Sequence, residues 1–298
     1  DLLEKAQIEE IRILALMSTN RPLEAIALAL PILKALGVRL PSKPTMGHIL
    51  AGLARTKARM AGKDRKYLAG LPAMTDKYKL AAMNLLARIQ SSAYFAMPNL
   101  YPLIVYAYLR LSLKYGNTGI STLGYASYGV VHAGILLDFD SALKYGEVAY
   151  DVMDQYPSDE VRTKGIFFVE GFIRSWRSDY SAQARKLQEA YRLGLDTGDH
   201  EFAAHSAFMS SYYLFFSGRS LEETEREMAA FARGIHRLKQ ASPEFLQHIL
   251  YQATRNFRTV LDRPWDLDGE IYNEGIERPK HEAANDKSVL FTLYVTRL

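Results

Sequence analysis

Three breaks divide the second half of this chain at a spacing of about 40 residues, a period typical of helical-repeat proteins. They are Leu137-Asp-Phe-Asp140, Trp176-Arg-Ser-Asp-Tyr180 and Phe216-Ser-Gly-Arg-Ser220. An aromatic-rich amphipathic run precedes each break, and a charged run follows it. A pair of such helices cannot bury its apolar face alone, so successive pairs must stack, and stacks of this kind usually present a surface to a partner. The pattern predicts an all-α helical-repeat superhelix, an α-α solenoid. No alternating strand pattern competes with it.

Composition narrows the function classes. With 298 residues, 48% of them hydrophobic, the chain can bury a substantial core. Cysteine is absent, which removes disulfides, thiolate metal sites and cysteine nucleophiles and suits the reducing cytoplasm, the expected location. A net charge of +4 permits weak attraction to phosphates without requiring it. The richest apolar stretch, Val130-Val-His-Ala-Gly-Ile-Leu-Leu137, is far short of the ~18 residues of a membrane span. The chain opens in helical register and closes on the apolar run Val289-Leu-Phe-Thr-Leu-Tyr-Val295. Both ends look cut, which predicts a piece of a longer polypeptide and possible self-association through the ends.

Three regions follow from the stop and start signals. Residues 1–120 form an N-terminal helical part with an irregular connection near 62–75. Residues 121–261 hold the regular helix pairs, and 262–298 a loop-rich segment with a truncated terminal helix. In the first part, Asn20 is the expected N-cap ahead of Pro22, Gly37 the expected stop, and Pro31 a kink, since proline removes a helix donor and clashes with the preceding turn. Ser220 with Glu223 has the spacing of a capping box, and Pro243 sits at the expected start of a helix.

Units such as Asp138-Phe-Asp-Ser-Ala-Leu-Lys-Tyr-Gly-Glu-Val-Ala149 and Asn20-Arg-Pro-Leu-Glu-Ala-Ile-Ala-Leu-Ala-Leu30 look like the second half of a tetratricopeptide repeat, with small residues where helices touch. Six strings also occur in an order that carries a wider resemblance: Leu36-Gly-Val-Arg-Leu-Pro41, Leu71-Pro-Ala-Met-Thr-Asp76 and its continuation to Met83, Ser112-Leu-Lys-Tyr-Gly-Asn117, Gly171-Phe-Ile-Arg-Ser-Trp176, Leu195-Asp-Thr-Gly-Asp199, and the stretch from Ser217 to Phe231. In that order they resemble the helical tetratricopeptide-like region that follows the ATPase module in large bacterial multidomain signalling proteins. Those proteins join a serine/threonine-kinase-like domain, a predicted signal-transduction ATPase, this region, a GAF domain and often a histidine kinase. The resemblance covers nearly the whole chain and implies a non-catalytic interaction or sensor module. It carries over no catalytic or ligand-binding residue.

A search for chemistry fits that reading. The chain has no Gly-x-x-x-x-Gly-Lys-Ser/Thr phosphate loop, no His-Arg-Asp loop and no Asp-Phe-Gly; Asp138-Phe-Asp140 is a near miss at a repeat turn. No catalytic residue, metal ligand or cofactor is expected. His200 and His205 are five apart, whereas metal ligation on a helix wants three or four, and His132, His236, His248 and His281 stand alone. The acidic run at 221–227 is what a helix start favours. The basic cluster Arg55, Lys57, Arg59, Lys63, Arg65 and Lys66 has only Tyr67 beside it. It reads as a solvated face or a dock for an acidic neighbour, not a nucleic-acid surface, which would interleave stacking aromatics.

Aromatics supply the candidate site. Aligned on the tetratricopeptide pattern, Phe168, Phe172, His205, Phe208 and Tyr212 fall on the face that would line a concave groove, where aromatic anchors dominate peptide and helix recognition. The expected partner is a protein or peptide, or flanking domains of the same chain, with neither membrane nor nucleic acid. The alternatives are a peptide- or inducer-binding repeat domain of a transcription regulator, and a helical enzyme, which a cluster of buried titratable side chains would support.

Overall fold

A computed structural model describes residues 1–298 except Asn20, Val260 and Leu298. The described residues form an all-α protein. They contain no strand, only isolated bridges at Ala73–Asn117 and Asp268–Asn273. Backbone contacts divide the chain into two compact units, Asp1–Val169 and Glu170–Leu298. The division runs through the helix at 159–172 and cuts the expected regular array.

The first unit begins with α1 (Leu2–Ser18) and α2 (Pro22–Ala35) packed on each other and on α5 (Lys77–Ala96). Asp1 caps α1 through a capping box with Glu4. Pro22 stands at the first position of α2, Gly37 follows its end with φ +84°, and the helix runs through Pro31. The expected cap at Asn20 lies outside the described residues. Helix α3 (Met46–Met60) packs on α6 (Tyr101–Tyr115), and the irregular connection holds one short turn, α4 (Arg65–Ala69), against α8 (Phe139–Gln155). Arg65 ties α4 to α8 through a bidentate pair with Asp151 at 2.5 and 2.6 Å. Small residues lie where the repeat-like string expects contact: Ala142, Gly146 and Ala149 of α8 are all buried.

Helices α6 and α7 (Ser121–Val131) form the centre of this unit. Nearly every residue of both is buried, so their polar groups must pair internally. Gln90 accepts from the Tyr108 hydroxyl (3.1 Å) and donates to Ser127 Oγ (3.0 Å), while Ser112 and Ser121 share a bond of 2.7 Å. Asn117 donates to the Leu68 carbonyl (2.8 Å) and exchanges backbone bonds with Pro72 and Met74, holding the connection after α4 in place. The chain can make this approach only because residue 116 is glycine. Its φ is +99°, and a Cβ there would stand 2.1 Å from the Pro72 oxygen. The expected helix 121–136 ends instead in a π-turn, His132–Leu136, terminated by Leu137 in the left-handed region.

Helix α9 (Asp159–Phe172) and a 3-10 turn at Arg174–Trp176 lead into the second unit. There α10 (Tyr180–Thr197), α11 (His200–Phe216), α12 (Leu221–Leu238) and α13 (Ala241–Arg258) pack in sequence, and α11 also meets α13. Gly198 (φ +76°) ends α10, and Asp199 caps α11 by accepting from Phe202 N at 3.3 Å. The expected capping box at Ser220 does not form. Ser220 is the N-cap of α12 but makes no side-chain cap bond, because Arg219 engages Glu223 and Glu227 instead. Pro243 is the third residue of α13, two later than expected, and is buried.

The loop-rich segment is held by amide side chains. Gln252 Oε1 accepts from Ile271 N and Tyr272 N, and Asn256 Nδ2 donates to the Pro264 and Asp266 carbonyls. Helices α14 (Glu274–Ala283) and α15 (Lys287–Arg297) complete the unit. The terminal apolar run splits by face. Val289 and Leu293 enter the core with Met228, Leu250 and Ala253, while Phe291 and Tyr294 are exposed.

Candidate interaction surface

Helix α11 is apolar almost all round, and most of it is buried. Beyond the exposed His200 at its start, the unburied residues are Glu201, His205, Met209, Tyr212 and Phe216, with Phe215 beside them. Their steps of three and four residues put them on one face. The open edge of an otherwise enclosed helix is thus lined by a histidine, a methionine and aromatics.

Rings continue this edge at the C-terminal end of α11. Tyr212 and Phe216 lie 4.9 Å apart between centroids, Phe215 and Phe216 5.0 Å, and Phe215 reaches Phe257 of α13 at 6.2 Å. Tyr180, at the start of α10, stacks on Tyr213 at 5.1 Å, and Tyr213 is anchored by donating its hydroxyl to Gly171 O at 2.5 Å. Trp176, Tyr180, Phe216 and Phe257 remain exposed, Trp176 and Phe257 by about half. Three helix ends therefore converge on one apolar patch.

His205 belongs to this edge as a neutral group. Burial pushes its pKa down to about 4, with the Asp199 carboxylate opposing the shift. Burial likewise raises the Tyr212 hydroxyl above its ordinary value. The patch thus carries little charge at neutral pH and is suited to desolvating apolar side chains.

The expected groove residues distribute as follows. His205 and Tyr212 share the open stripe of α11. Phe208 lies about 100° round the helix from Met209 and is buried in the core with Met228 and Leu250. Phe168 and Phe172 are half-buried, four apart on one stripe of α9; Phe168 belongs to the first unit and the other four residues to the second. Sequence reading missed Phe216, Phe257, Tyr180 and Trp176, which sit at helix ends where periodicity gives no face. The tandem Tyr212-Tyr213 and Phe215-Phe216 pairs were the available signal, since neighbours on a helix lie about 100° apart and one ring of each pair is the less buried.

A buried histidine also meets a carboxylate in the first unit. His132, in the π-turn, pairs Nδ1 with Asp138 Oδ2 at 3.2 Å and meets Tyr128 edge-on at 4.6 Å. Its Nε2 and the Tyr128 hydroxyl are buried without a hydrogen-bond partner. Burial lowers the His132 pKa, with Lys57 and Lys144 adding to the effect and Asp138 opposing it. Three further histidines have partners: His48 completes the cap of α3 at Thr45, His236 bonds Glu244 at 2.7 Å, and His281 packs edge-on against Phe245. Among the described residues no three His, Cys, Asp or Glu side chains converge as metal ligands, and no helix is long and apolar enough to cross a membrane.

Comparison with known proteins returned no matching family model, no matching curated protein and no matching solved structure.

Proposed function

We propose that this chain is a non-catalytic helical interaction module that captures an apolar segment of a protein partner on the open edge of α11. The observation that carries the reading is the stripe His205, Met209, Tyr212 and Phe216 with its aromatic extension at Phe257 and Tyr180. Exposed rings held by their neighbours lose little side-chain freedom on binding, and such residues dominate interface energies. The resemblance in sequence supports placing the module between the catalytic domains of a bacterial signal-transduction ATPase/kinase, stacked as a tetratricopeptide-like superhelix. In that setting a partner, or the flanking domains, would bias those domains by binding two arrangements unequally.

The test is a pull-down of the full-length parent's flanking domains, followed by titration with Tyr212→Ala and Phe216→Ala. Each variant should weaken association by ~1–3 kcal/mol, and Phe216→Ala, whose ring is exposed, should leave the melting temperature nearly unchanged. Loss of several degrees of stability with unaltered binding would move these rings from the interface to the core.

The His132–Asp138 pair favours a second reading, a helical enzyme. A neutral histidine held by a carboxylate, with its other nitrogen unpartnered, has the arrangement of a general base. Turnover in an activated-ester screen that disappears in His132→Gln would establish that reading over the first.

A further inference from the structure

Charge in the first unit is unevenly spread along the chain. No aspartate or glutamate occurs between Glu24 and Asp64, nor between Asp76 and Asp138, yet these stretches hold Arg55, Lys57, Arg59, Arg88 and Arg110. Helices α3 and α6 both come from them, so neither carries an acid. The two helices lie side by side and run in the same direction. Asn99, just before α6, donates to the Pro44 carbonyl, just before α3, at 3.4 Å. Further along, Gly52 sits so near Tyr106 that an added Cβ would stand 2.7 Å from the ring. Carrying this register forward places Arg55 and Arg59, about one and two turns beyond Gly52, beside Arg110, about one turn beyond Tyr106.

The surroundings of these three differ from those of Arg65 and Arg88 in the same unit. Arg65 is neutralised by Asp151 and Glu147, and Arg88 by Glu10 and Glu160. Among the described residues Arg55, Arg59 and Arg110 form no ion pair; Arg55 Nε only folds back onto the Ala51 carbonyl. Arg110 is half-buried, and Arg55 and Arg59 are exposed at its side. A partly desolvated cation without a counter-charge is destabilising. Burial and then Arg59 push the Arg110 guanidinium below its ordinary value, Arg55 adding to this and Tyr115 opposing it. A fold that gathers like charge at one seam, on two helices free of acids, is complementary to an anion.

We propose that Arg55, Arg59 and Arg110, at the seam of α3 and α6, bind a compact, doubly charged oxyanion: a phosphate group, free or as the monoester of a small molecule. Guanidinium forks match phosphate oxygens in pairs, and three of them around one half-buried member suit a single group. A long polyanion would need cations continuing across the outer face of α3. That face presents Gly47, Ala51, Ala54 and Ala58, with Lys57 as its cation. The site belongs to the first unit and the α11 edge to the second, and they share no residue, so its fate does not decide the proposed function.

Isothermal titration of the whole chain at low salt, with inorganic phosphate and with glycerol 3-phosphate as probes, tests the assignment. Saturable binding is expected, weakened ~10-fold or more by Arg110→Gln but less than ~2-fold by Lys5→Gln, which removes the same charge from α1. Phosphate should raise the melting temperature of the wild type and not of Arg110→Gln, since only a ligand of the folded state stabilises it. Should Arg110→Gln fail to fold, the exposed Arg59→Gln gives the same comparison. Tighter binding of the monoester than of free phosphate would assign the site to an esterified ligand, and equal binding to the free ion. An absence of saturable binding, or equal weakening by Lys5→Gln and the arginine variants, overturns the proposal.

Discussion

The two units build their centres from different side chains. In Asp1–Val169 the tyrosines Tyr101, Tyr106, Tyr108, Tyr125, Tyr128 and Tyr145 are all buried, and hydroxyls such as those of Tyr108 and Tyr125 bond to Gln90 and Asn117. In Glu170–Leu298 the centre is aliphatic around Met228, Ile249, Leu250 and Leu293, and rings spill to the edge at Tyr212, Phe216 and Phe257. A tyrosine hydroxyl deep in a core usually takes a hydrogen-bond partner, Tyr128 being an exception, whereas phenylalanine at an edge requires only a cover. In the first unit tyrosine thus builds the centre, with Tyr94 and Phe95 left exposed, whereas the second keeps Phe202, Phe208 and Tyr213 inside and leaves Phe216 and Phe257 uncovered.

The largest test of this contrast is Leu250→Ala. Its side chain is fully buried in a core held mainly by packing, so a loss of ~2–5 kcal/mol in denaturant unfolding is expected. A cost under 1 kcal/mol would mean that the second unit is not packed as described. Gln90→Leu is the counterpart in the first unit. It leaves the Tyr108 hydroxyl and Ser127 Oγ unpaired, at an expected ~1–3 kcal/mol. A neutral result would show that the polar network specifies arrangement without adding stability.

Acid sharpens the comparison further. His205 titrates at about 4 when folded and near ~6.5 when unfolded. Between those values the unfolded chain binds the extra proton, so stability rises with pH there. Its contribution is present above pH ~6.5 and is lost as pH falls towards 4, by ~1–2 kcal/mol after allowance for its partial exposure. Burial also lowers His248 in the same unit and His132 in the first. The share due to His205 is therefore the slope that disappears in His205→Gln; an unchanged slope would remove His205 from the account. Smallest of all, Phe216→Ala should alter stability by less than ~0.5 kcal/mol, since the ring is exposed. A cost near that of Leu250→Ala would place the ring in the core.

Much of the fold was legible because its signals are local. Gly37, Gly116 and Gly198 each follow a helix end with a positive φ, and Asp1, Asp138, Asp179 and Asp199 cap starts. What could not be read depends on partners distant in sequence. Glu223 is drawn to Arg219 and not to the Ser220 cap, and Gln90 meets Ser127 across 37 positions. The candidate surface was legible in part: the repeat pattern located α11 and its open residues His205 and Tyr212. An error of one position separates Phe208, in the core, from Met209, at the edge.

The π-turn at His132–Leu136 bears on how the sequence can change. A wide turn holds one residue more than the helix needs, so it is a place where the loss of a residue can be absorbed. Removing Gly134, beside which a Cβ would meet nothing within 4 Å, would let α7 close as an ordinary helix with its earlier contacts intact. The same deletion within α11 would turn every later ring by about 100° and bury the edge. Length variation in descendants of this chain should therefore collect at the turn before Asp138 and spare the helix that carries Tyr212.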